Sequence, residues 1–278
     1  MERERDRDRM AAEWADRAVS YAAHAVPKNR PFARRLVQLV QPTAGERVLD
    51  IASGPGVVAI EAATALRGTG SVLATDLAPE WQPFVIAAAS DAGIDTVTFR
   101  SMPAEALAVA DGSFDTVFCQ FGLMFMPDPA VALGEMRRVL RPGGRLGIAV
   151  WSTPDKVGHF VGQRALMAAL PPQEGPTTPS PTSLGEPGLI EGMVAGAGFV
   201  GIAAERFVSV HEIADPEQEW SRLSAERRFA DVLDPLDAAQ VEAIRRAVVA
   251  AIEARRIDNA IQLESEAILV TGHRASPA

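Results

Sequence analysis

A short glycine-containing turn is the first feature of this sequence that could bind a ligand. The segment VLDIASGPG occupies residues 48–56 and joins an apolar run to an alanine-rich stretch with helical spacing. A short apolar run that ends at glycines is typical of a buried parallel strand. Glycines let a ligand approach the backbone, and the start of the following helix offers unpaired N–H groups. Gly54, Gly56 and Ala59 fit the loose G-x-G-x-x-G/A pattern of dinucleotide-binding turns, a weak signal by itself.

Two aspartates narrow the range of ligands that this turn could bind. Asp76 stands twenty positions after Gly56, at the end of the next predicted strand, where a carboxylate can accept hydrogen bonds from both hydroxyls of a ribose. That feature suits NAD and a nucleoside-containing sulfonium equally. Asp50 separates them, because a carboxylate beside the turn repels a pyrophosphate and favours a ligand that carries an ammonium and a sulfonium. The pair favours S-adenosyl-L-methionine (SAM) over NAD; the alternative for Asp50 is a cap of the following turn.

The elements that must position these residues alternate between strands and helices. Strands are predicted at Val48–Ala52, Ser71–Thr75, Thr96–Arg100, Phe114–Gln120, Arg145–Trp151, Phe199–Val210 and Asn259–Thr271. Helices are predicted at Val57–Leu66, Pro79–Ala92, Asp128–Leu140, Val157–Leu170 and Leu189–Ala197. This alternation predicts an α/β fold with a Rossmann-like, doubly wound, mostly parallel sheet, and with an antiparallel strand near the C-terminus.

Helical segments flank this alternating region. Residues 11–40 have helical spacing, with a break predicted at Pro27 and a new helix starting at Pro31. The charged start MERERDRDRM is expected to be solvated and frayed, with a partner-binding arm as the alternative. Near the other end, Pro216–Arg256 is predicted as two helices separated by Asp234-Pro235, and the prolines from Pro171 to Pro181 predict an irregular loop.

These patterns predict one structural domain overall, with three parts. Residues 1–45 form an N-terminal helical lid, and residues 46–152 form the ligand-binding Rossmann-like core. Residues 153–278 complete the sheet and carry helical insertions, at about 154–187 and 214–256, that serve as a substrate lid. Loops and insertions at strand ends commonly carry specificity, so the substrate walls are expected there.

The ordered motifs of residues 46–152 resemble those of the class I SAM-dependent methyltransferase family. The resemblance is to its small-molecule branch, typified by ubiquinone/menaquinone C-methyltransferases and natural-product O-methyltransferases. VLDIASGPG resembles the first family motif and ATDLAPE the second, while MPAEAL resembles the adenine-side motif. SFDTVFCQFGLMFMPD and MRRVLRPGGRLGIAVW resemble the motifs of the fourth and fifth strands. The resemblance implies SAM as cofactor and S-adenosyl-L-homocysteine as product.

The resemblance also implies where the cofactor binds. The turn supplies backbone beside the methionine part of SAM, Asp76 holds the ribose, and Leu77 lies against the adenine. Gln120 sits beneath the sulfonium and the amino-acid tail, and Tyr21 belongs to the helical region that covers the pocket in this branch. The full set of expected cofactor-binding residues is Tyr21, Asp50, Ala52, Ser53, Gly54, Gly56, Asp76, Leu77, Ala104, Glu105 and Gln120.

Several of these positions leave an alternative open. Ala52 stands where the family usually has its first glycine, and we expect a modest effect because alanine is small. Pro103 stands at the usual aspartate position of the adenine motif and offers neither a carboxylate nor an N–H, so Glu105 or a backbone carbonyl would have to compensate. Glu105 could equally be a solvated carboxylate at a helix start, and Gln120 could satisfy the backbone at a strand end.

An apolar cluster that begins within the fourth strand is expected to be packing of sheet and helix, with some members lining a substrate pocket, since Met adapts to irregular apolar ligands. Its members are Phe118, Phe121, Leu123, Met124, Phe125 and Met126. Cys119, within the apolar strand, is expected to be an inert buried thiol.

Composition bounds the function classes. The chain has 278 residues, with 27 Lys plus Arg against 36 Asp plus Glu, and a formal net charge of −9. An acidic chain argues against broad electrostatic binding to nucleic acid or to an anionic membrane. One cysteine excludes an intramolecular disulfide. With no signal-peptide pattern and no apolar run of membrane-spanning length, a cytoplasmic location is expected, with a homodimer left open.

The predicted function is transfer of a methyl group from SAM to an oxygen or carbon of a small, partly hydrophobic molecule, such as a secondary metabolite or a quinone-like compound. A hydroxyl acceptor often needs a general base. His24 and His159 are the candidates, although neither lies in a diagnostic motif, and no metal site is expected. The alternatives are a methyltransferase-fold protein that binds SAM but catalyses another reaction, such as a cyclisation, and an NAD-dependent oxidoreductase.

Overall fold

The computed structural model describes residues 2–170 and 180–276, with side chains from residue 7 onward. The chain divides into two compact units. The first contains the described parts of Met1–Ser152, Pro179–Phe207 and Ala267–Ala278, and the second those of Thr153–Thr178 and Val208–Glu266. The single structural domain that the sequence led us to expect stays a prediction. No helix of the described residues is both long and apolar enough to span a membrane.

Most strands of a mostly parallel sheet belong to the first unit. Its strands run in the order β3-β2-β1-β4-β5-β8-β6, and β7 pairs with β8. The bounds are β1 Arg47–Ile51, β2 Ser71–Asp76, β3 Val97–Ser101, β4 Phe114–Gln120, β5 Leu140–Trp151, β6 Phe199–Ile213, β7 Arg256–Ile257 and β8 Ala260–Arg274. Strands β1 to β5 pair in parallel, and Arg145–Trp151 of β5 pairs antiparallel with Ala267–His273 of β8. The predicted α/β fold class is confirmed.

Strand order places the ligand-binding edge of this sheet. From β1 the chain moves outward through β2 and β3, and it then returns to the other side of β1 with β4 and β5. In such sheets ligands bind at the carboxyl ends of the strands, where the strand order reverses. Strand β1 lies at that point and is buried over Val48–Ile51, as expected for a parallel strand covered on both faces.

Helices cover the sheet of the first unit and form most of the second. Their bounds are α1 Glu2–Val40, α2 Val57–Ala65, α3 Gln82–Asp91, α4 Pro129–Val139, α5 Val161–Ala169, α6 Leu189–Gly196, α7 Pro216–Ala225, α8 Arg227–Leu233 and α9 Ala238–Glu253. Helices α2, α3 and α4 each follow a strand of the parallel sheet, as the alternation predicted.

Helix α1 corrects one prediction, because it continues through both Pro27 and Pro31. A proline lacks an N–H, so the carbonyls of residues 23 and 27 lose their usual helical donors, and an interior proline costs about 3 kcal/mol or more. Tertiary packing offsets that cost. Phe32 is 1% exposed and contacts the rings of Phe121, Trp151 and Phe207. Arg35 forms a bidentate ion pair with Glu205, with Nε–Oε1 and Nη2–Oε2 distances of 2.7 and 2.6 Å.

The second unit has a hydrophobic core of its own. Buried residues of α5, α7, α8, α9 and β8 form it, among them Leu166, Leu223, Phe229, Val248 and Ile261. Residues 171–179, where most of the predicted proline-rich loop and part of the predicted lid insertion at 154–187 fall, lie outside the described residues.

The predicted pair of helices over 216–256 is wrong, since three helices form there. An additional break comes at Glu226, whose backbone is extended and whose carboxylate accepts from Arg222 and Arg228. The expected break at Asp234-Pro235 is confirmed, and a capping box of Asp237 and Gln240 starts α9.

Candidate functional site

A cavity in the first unit opens where β1, β2 and β4 end. It holds about 930 Å³ of space not occupied by atoms, counting space open to solvent. Its walls come from the turn after β1, the residues after β2 and β3, the segment after β4, and one side of α1. The lining residues are Arg7, Met10, Trp14, Tyr21, Asn29, residues 50–55, Val57, Val58, Asp76, Leu77, Trp81, residues 102–105, residues 120–122 and residues 125–127.

The sequence-predicted cofactor residues converge on this cavity. Tyr21, Asp50, Ala52, Ser53, Gly54, Asp76, Leu77, Ala104, Glu105 and Gln120 all line it. Gly56 is the exception, and its contribution is conformational. Its φ is +85°, and a Cβ there would lie 3.2 Å from Cγ2 of Val85. Glycine therefore fits both the left-handed start of α2 and the close approach of α3.

Asp50 is a buried carboxyl group at the end of β1. Its Oδ2 accepts a hydrogen bond of 2.9 Å from the N–H of Ala59 in α2, and its Oδ1 is buried without a hydrogen-bond partner. Burial raises the pKa of Asp50 from its ordinary 3.8 to about 8; the Ala59 hydrogen bond opposes the shift, and Asp76 adds to it. An unpaired buried oxygen is costly, so this carboxyl is suited to a cationic or hydrogen-bond-donating ligand.

Asp76 shapes the turn as well as lining the cavity. Its Oδ2 accepts from Gly54 N–H at 2.8 Å, and its Oδ1 accepts from Ala78 N–H at 3.2 Å. Burial raises the pKa of Asp76 to about 6, and these backbone donors oppose the shift. A carboxylate has about four lone-pair sites, so both oxygens can still accept from a ligand.

Unpartnered polar atoms concentrate in this cavity. Among the described residues, buried side-chain oxygens without a hydrogen-bond partner include Asp50 Oδ1, Ser53 Oγ, Glu105 Oε1 and Gln120 Oε1. All four residues line the cavity. Buried polar groups in folded proteins are nearly always satisfied, so a group of exceptions in one place indicates a binding site for a ligand rich in donors or positive charge.

Ala52 adopts a backbone conformation that favours glycine. Its φ is +54°, in the left-handed region, which costs an alanine on the order of 1 kcal/mol. Gly122, after β4, accommodates the extra methyl group, because a Cβ at Gly122 would overlap the Cβ of Ala52. The departure at Ala52 is thus matched by a glycine on a neighbouring strand end.

The α1 wall is the part of the cavity that sequence reasoning mostly missed. Arg7, Met10, Trp14 and Tyr21 recur at helical spacing on one side of α1, and only Tyr21 was anticipated. The charged run that begins the chain obscured the pattern, although residues 7–10 are helical and Arg7 and Met10 among them line the cavity. The spacing of Met10, Trp14 and Tyr21 was the available signal.

Aromatic contacts join this wall to the rest of the cavity. Trp14 makes edge-on contacts with Tyr21 and Phe125, at centroid distances of 5.6 and 5.4 Å, and Tyr21 contacts Trp81 at 5.8 Å. The guanidinium of Arg17 lies 4.5 Å above the Trp14 ring. Such aromatic pairs add stabilisation beyond the burial of their area.

The apolar cluster that begins within β4 divides between cavity lining and core. Phe121, Phe125 and Met126 line the cavity, and Phe121 stacks on Trp151 at 3.7 Å. Phe118, Leu123 and Met124 are buried core residues outside the lining. Cys119 is fully buried, and burial raises the pKa of its thiol to about 12, which makes it a poor nucleophile at neutral pH.

The two candidate histidines lie elsewhere. His24 is exposed on α1, and its Nδ1 lies 2.8 Å from the Ser20 carbonyl oxygen. His159 belongs to the second unit, where its Nδ1 lies 2.8 Å from Ser265 Oγ. Within the described part of the chain, no histidine lines the cavity.

Fold and cavity together define a Rossmann-like protein with a buried, acceptor-rich site at the strand ends, and comparison with known proteins gives its family. A family described as a methyltransferase domain matches residues 49–148. Nocamycin O-methyltransferase of Saccharothrix syringae is 34% identical over 194 residues, which cover 65% of this chain and 68% of that protein. The chain belongs to the SAM-dependent methyltransferase family. It is therefore an enzyme whose cofactor is SAM.

Solved structures agree on the fold. The YcgJ protein from Bacillus subtilis is 20% identical with a TM-score of 0.60, over 88% of this chain and 99% of that one. The cyclase SpnF is 20% identical with a TM-score of 0.55, over 89% of this chain and 81% of that one. At such identities the likeness shows shared architecture, since one fold hosts many reactions.

Proposed function

We propose that the enzyme transfers the methyl group of SAM to an oxygen or carbon of a small, partly hydrophobic molecule in the cavity of the first unit. The observation that carries this proposal is the character of the cavity walls. Unpartnered oxygens gather near the turn after β1, whereas Met10, Trp14, Phe125 and Met126 provide apolar surface. Pockets for small molecules combine mostly apolar walls with a few directed polar groups in this way.

The cofactor residues follow from the same geometry. Asp76 would accept hydrogen bonds from the ribose, and Leu77, Ala104 and Glu105 would border the adenine. Asp50 and Gln120 offer unpartnered oxygens on the side of the turn, where the positively charged part of SAM would be favoured. Pro103 lines the cavity without a donor or carboxylate, which leaves Glu105 Oε1 as an acceptor available to the adenine amino group.

SAM supplies an activated methyl group, so the protein mainly has to align the acceptor and exclude water. The acceptor atom forms a bond to the methyl carbon while the carbon–sulfur bond breaks, leaving S-adenosyl-L-homocysteine. The described lining holds no histidine that could take a hydroxyl proton. An acceptor that ionises readily by itself, such as a phenol, an enol or a stabilised carbanion, suits these walls. The name of the nocamycin enzyme supports oxygen as the acceptor atom.

The second candidate is a reaction other than methylation, such as a cyclisation, in which SAM is bound and not consumed. The lack of a histidine base in the described lining is the observation that favours it, together with the shared fold of the cyclase SpnF. Product analysis separates the candidates. Purified protein is incubated with methyl-labelled SAM and a panel of phenolic, enolic and quinone-like compounds. Label in a product, with an equal amount of S-adenosyl-L-homocysteine, supports methylation; a converted but unlabelled product supports the alternative.

Asp76→Ala tests the cofactor site directly. The variant loses charge-assisted hydrogen bonds to the ribose, so we expect SAM binding to weaken by about 1.5–3 kcal/mol in calorimetry. Asp76→Asn is the matched control, because its amide oxygen can keep the hydrogen bond from Gly54 N–H, and only the longer bond from Ala78 N–H is lost. Wild-type affinity in Asp76→Ala would contradict the proposed role, and a wild-type protein that binds neither SAM nor S-adenosyl-L-homocysteine would contradict SAM binding itself.

A further inference from the structure

One buried amide connects α1 to the end of β4. Asn29 lies between the two prolines of α1 and is 8% exposed. Its side-chain Nδ2 donates to the phenolic oxygen of Tyr21 at 3.1 Å, and its backbone carbonyl accepts from Gln120 Nε2 at 3.4 Å. All three residues line the cavity, so Asn29 bridges two side chains that face the ligand from different elements.

The hydrogen bond from Asn29 determines where the hydroxyl proton of Tyr21 points. A tyrosine hydroxyl can donate one hydrogen bond and can also accept. Because the Asn29 amide donates to this oxygen, the phenolic proton must point away from Asn29. Burial also raises the pKa of Tyr21, which keeps that proton in place at neutral pH. Tyr21 therefore presents a hydrogen-bond donor to the cavity.

The backbone carbonyl of Asn29 determines the orientation of the Gln120 side-chain amide. A carbonyl only accepts, so the glutamine amide turns its NH₂ group toward Asn29 and its oxygen away; the reversed amide would bring two acceptors together. The Oε1 of Gln120 is then the buried oxygen without a partner. Gln120 therefore presents a hydrogen-bond acceptor to the cavity.

We propose that Asn29 is a positioning residue for SAM, one that sets Tyr21 as a donor and Gln120 as an acceptor toward the amino-acid portion of the cofactor. A zwitterionic ligand end matches that pair, since its carboxylate accepts from Tyr21 and its ammonium donates to Gln120. The inference rests on SAM binding in this cavity and not on the identity of the methyl acceptor.

A double-mutant cycle in the full-length protein tests the Tyr21 arm. Asn29→Leu keeps the approximate volume of the side chain and removes the donor, and Tyr21→Phe removes the hydroxyl that it orients. We expect Asn29→Leu to raise the Kd for SAM about 3- to 10-fold in calorimetry, the range of one neutral hydrogen bond. In the Tyr21→Phe background the same substitution should change Kd by less than about twofold, because no hydroxyl remains to be oriented.

Two further variants separate positioning from folding. Gln38, the other amide-bearing side chain of α1, is exposed, so Gln38→Leu serves as the matched control and should leave Kd unchanged. Asn29→Asp is isosteric and reverses the polarity at Tyr21. Asn29→Asp should raise the Kd for SAM when Tyr21 is present and should not raise it in the Tyr21→Phe background. It replaces Asn29→Leu in the cycle if that variant does not fold.

The outcomes are distinct. An equal loss of affinity with and without the Tyr21 hydroxyl would overturn the proposal, because Asn29 would then act only on the structure. Unchanged affinity in both Asn29 variants, with a wild-type protein that binds SAM, would overturn it as well while leaving the cofactor site intact. A wild-type protein that binds no SAM would overturn the proposal together with the cofactor assignment.

Discussion

The role proposed for Asp50 in ligand binding has a cost for the free protein. Its carboxyl is buried, one oxygen has no partner, and burial holds its pKa at about 8. Near neutral pH the free protein must therefore keep a proton on Asp50 that the unfolded chain releases. A bound cation reverses the balance, since it favours the ionised carboxylate. The buried carboxyl that suits SAM therefore lowers the stability of the ligand-free protein as pH rises.

Asp50→Asn tests this cost through the pH dependence of stability. The folded-state pKa is raised above the ordinary 3.8, so the contribution of Asp50 to stability is fully present below that value and is lost as pH rises toward about 8. The asparagine side chain of the variant does not titrate. Between pH 5 and 7, the free energy of unfolding of the variant minus that of wild type should therefore increase by up to about 1.4 kcal/mol per pH unit.

Urea unfolding of both proteins without ligand, followed by tryptophan fluorescence, measures this difference. Asp76, with a pKa raised to about 6, titrates in both proteins, so its effect largely cancels in the comparison. Parallel pH curves for the two proteins would show that Asp50 is ionised in the folded state. The same variant should bind SAM more weakly, because an amide replaces the carboxylate beside the cationic ligand.

At the scale of elements, the turn after β1 and the end of β4 must be considered together. Ala52 tolerates a positive φ, and Gly122 provides the space for its methyl group. Neither residue is explained alone, since an alanine is unfavourable at that φ and the conformation of Gly122 does not demand glycine. The pair keeps the turn close to the strand end that carries Gln120, and both residues line the cavity.

A second double-mutant cycle checks this coupling. Gly122→Ala should destabilise the protein by about 1–3 kcal/mol, because its methyl group overlaps that of Ala52. Ala52→Gly should be within about 1 kcal/mol of wild type, since relief at positive φ is offset by the flexibility of glycine in the unfolded chain. The double variant should recover at least half of the loss. Additive losses in thermal unfolding would show that the two methyl groups do not compete.

The parallel strands could be predicted from the sequence because their signals are local. Short apolar runs that end at glycine or aspartate gave β1, β2 and β4 to within a residue of their bounds. Helix α1 could not be predicted in full, because local rules end a helix at proline, whereas the packing of Phe32 and the ion pair of Arg35 preserve it. The break at Glu226 depends on arginine pairing that no periodicity reveals.

The candidate site divides in the same way. Residues within the ordered motifs, such as Asp50, Asp76 and Gln120, could be assigned to one cavity because strand ends meet at one edge of a parallel sheet. Arg7 and Asn29 could not be assigned to it, since their place depends on how a long helix crosses that edge. The partnership of Ala52 and Gly122 was also inaccessible, because it joins positions seventy residues apart through a contact that only the fold creates.

At the scale of the whole molecule, part of the acidic composition behind the formal net charge of −9 lies in the cavity. Three carboxylic side chains, of Asp50, Asp76 and Glu105, line it beside one described cationic side chain, Arg7. An acidic, mostly buried site favours a cationic cofactor and gives no surface for a phosphate backbone. The acidity of the chain is thus consistent with a small ligand at its centre.

Hydrogen exchange with and without S-adenosyl-L-homocysteine tests how much of the first unit responds to that ligand. A ligand at one hundred times its Kd stabilises the bound state by about 2.7 kcal/mol, so amides that exchange through opening of the site should slow by up to about 100-fold. Slowing is expected in residues 50–58, 76–81, 102–105 and 120–127, and also in residues 7–29 of α1, because all these segments contribute to the lining. The Asp76→Ala variant at the same ligand concentration provides the control and should show less slowing throughout.

If the strand-end segments slow while residues 7–29 do not, α1 does not form a wall of the ligand site, and the positioning role of Asn29 fails with it. Slowing in both sets means that a helix outside the recognisable motifs is part of the cofactor site.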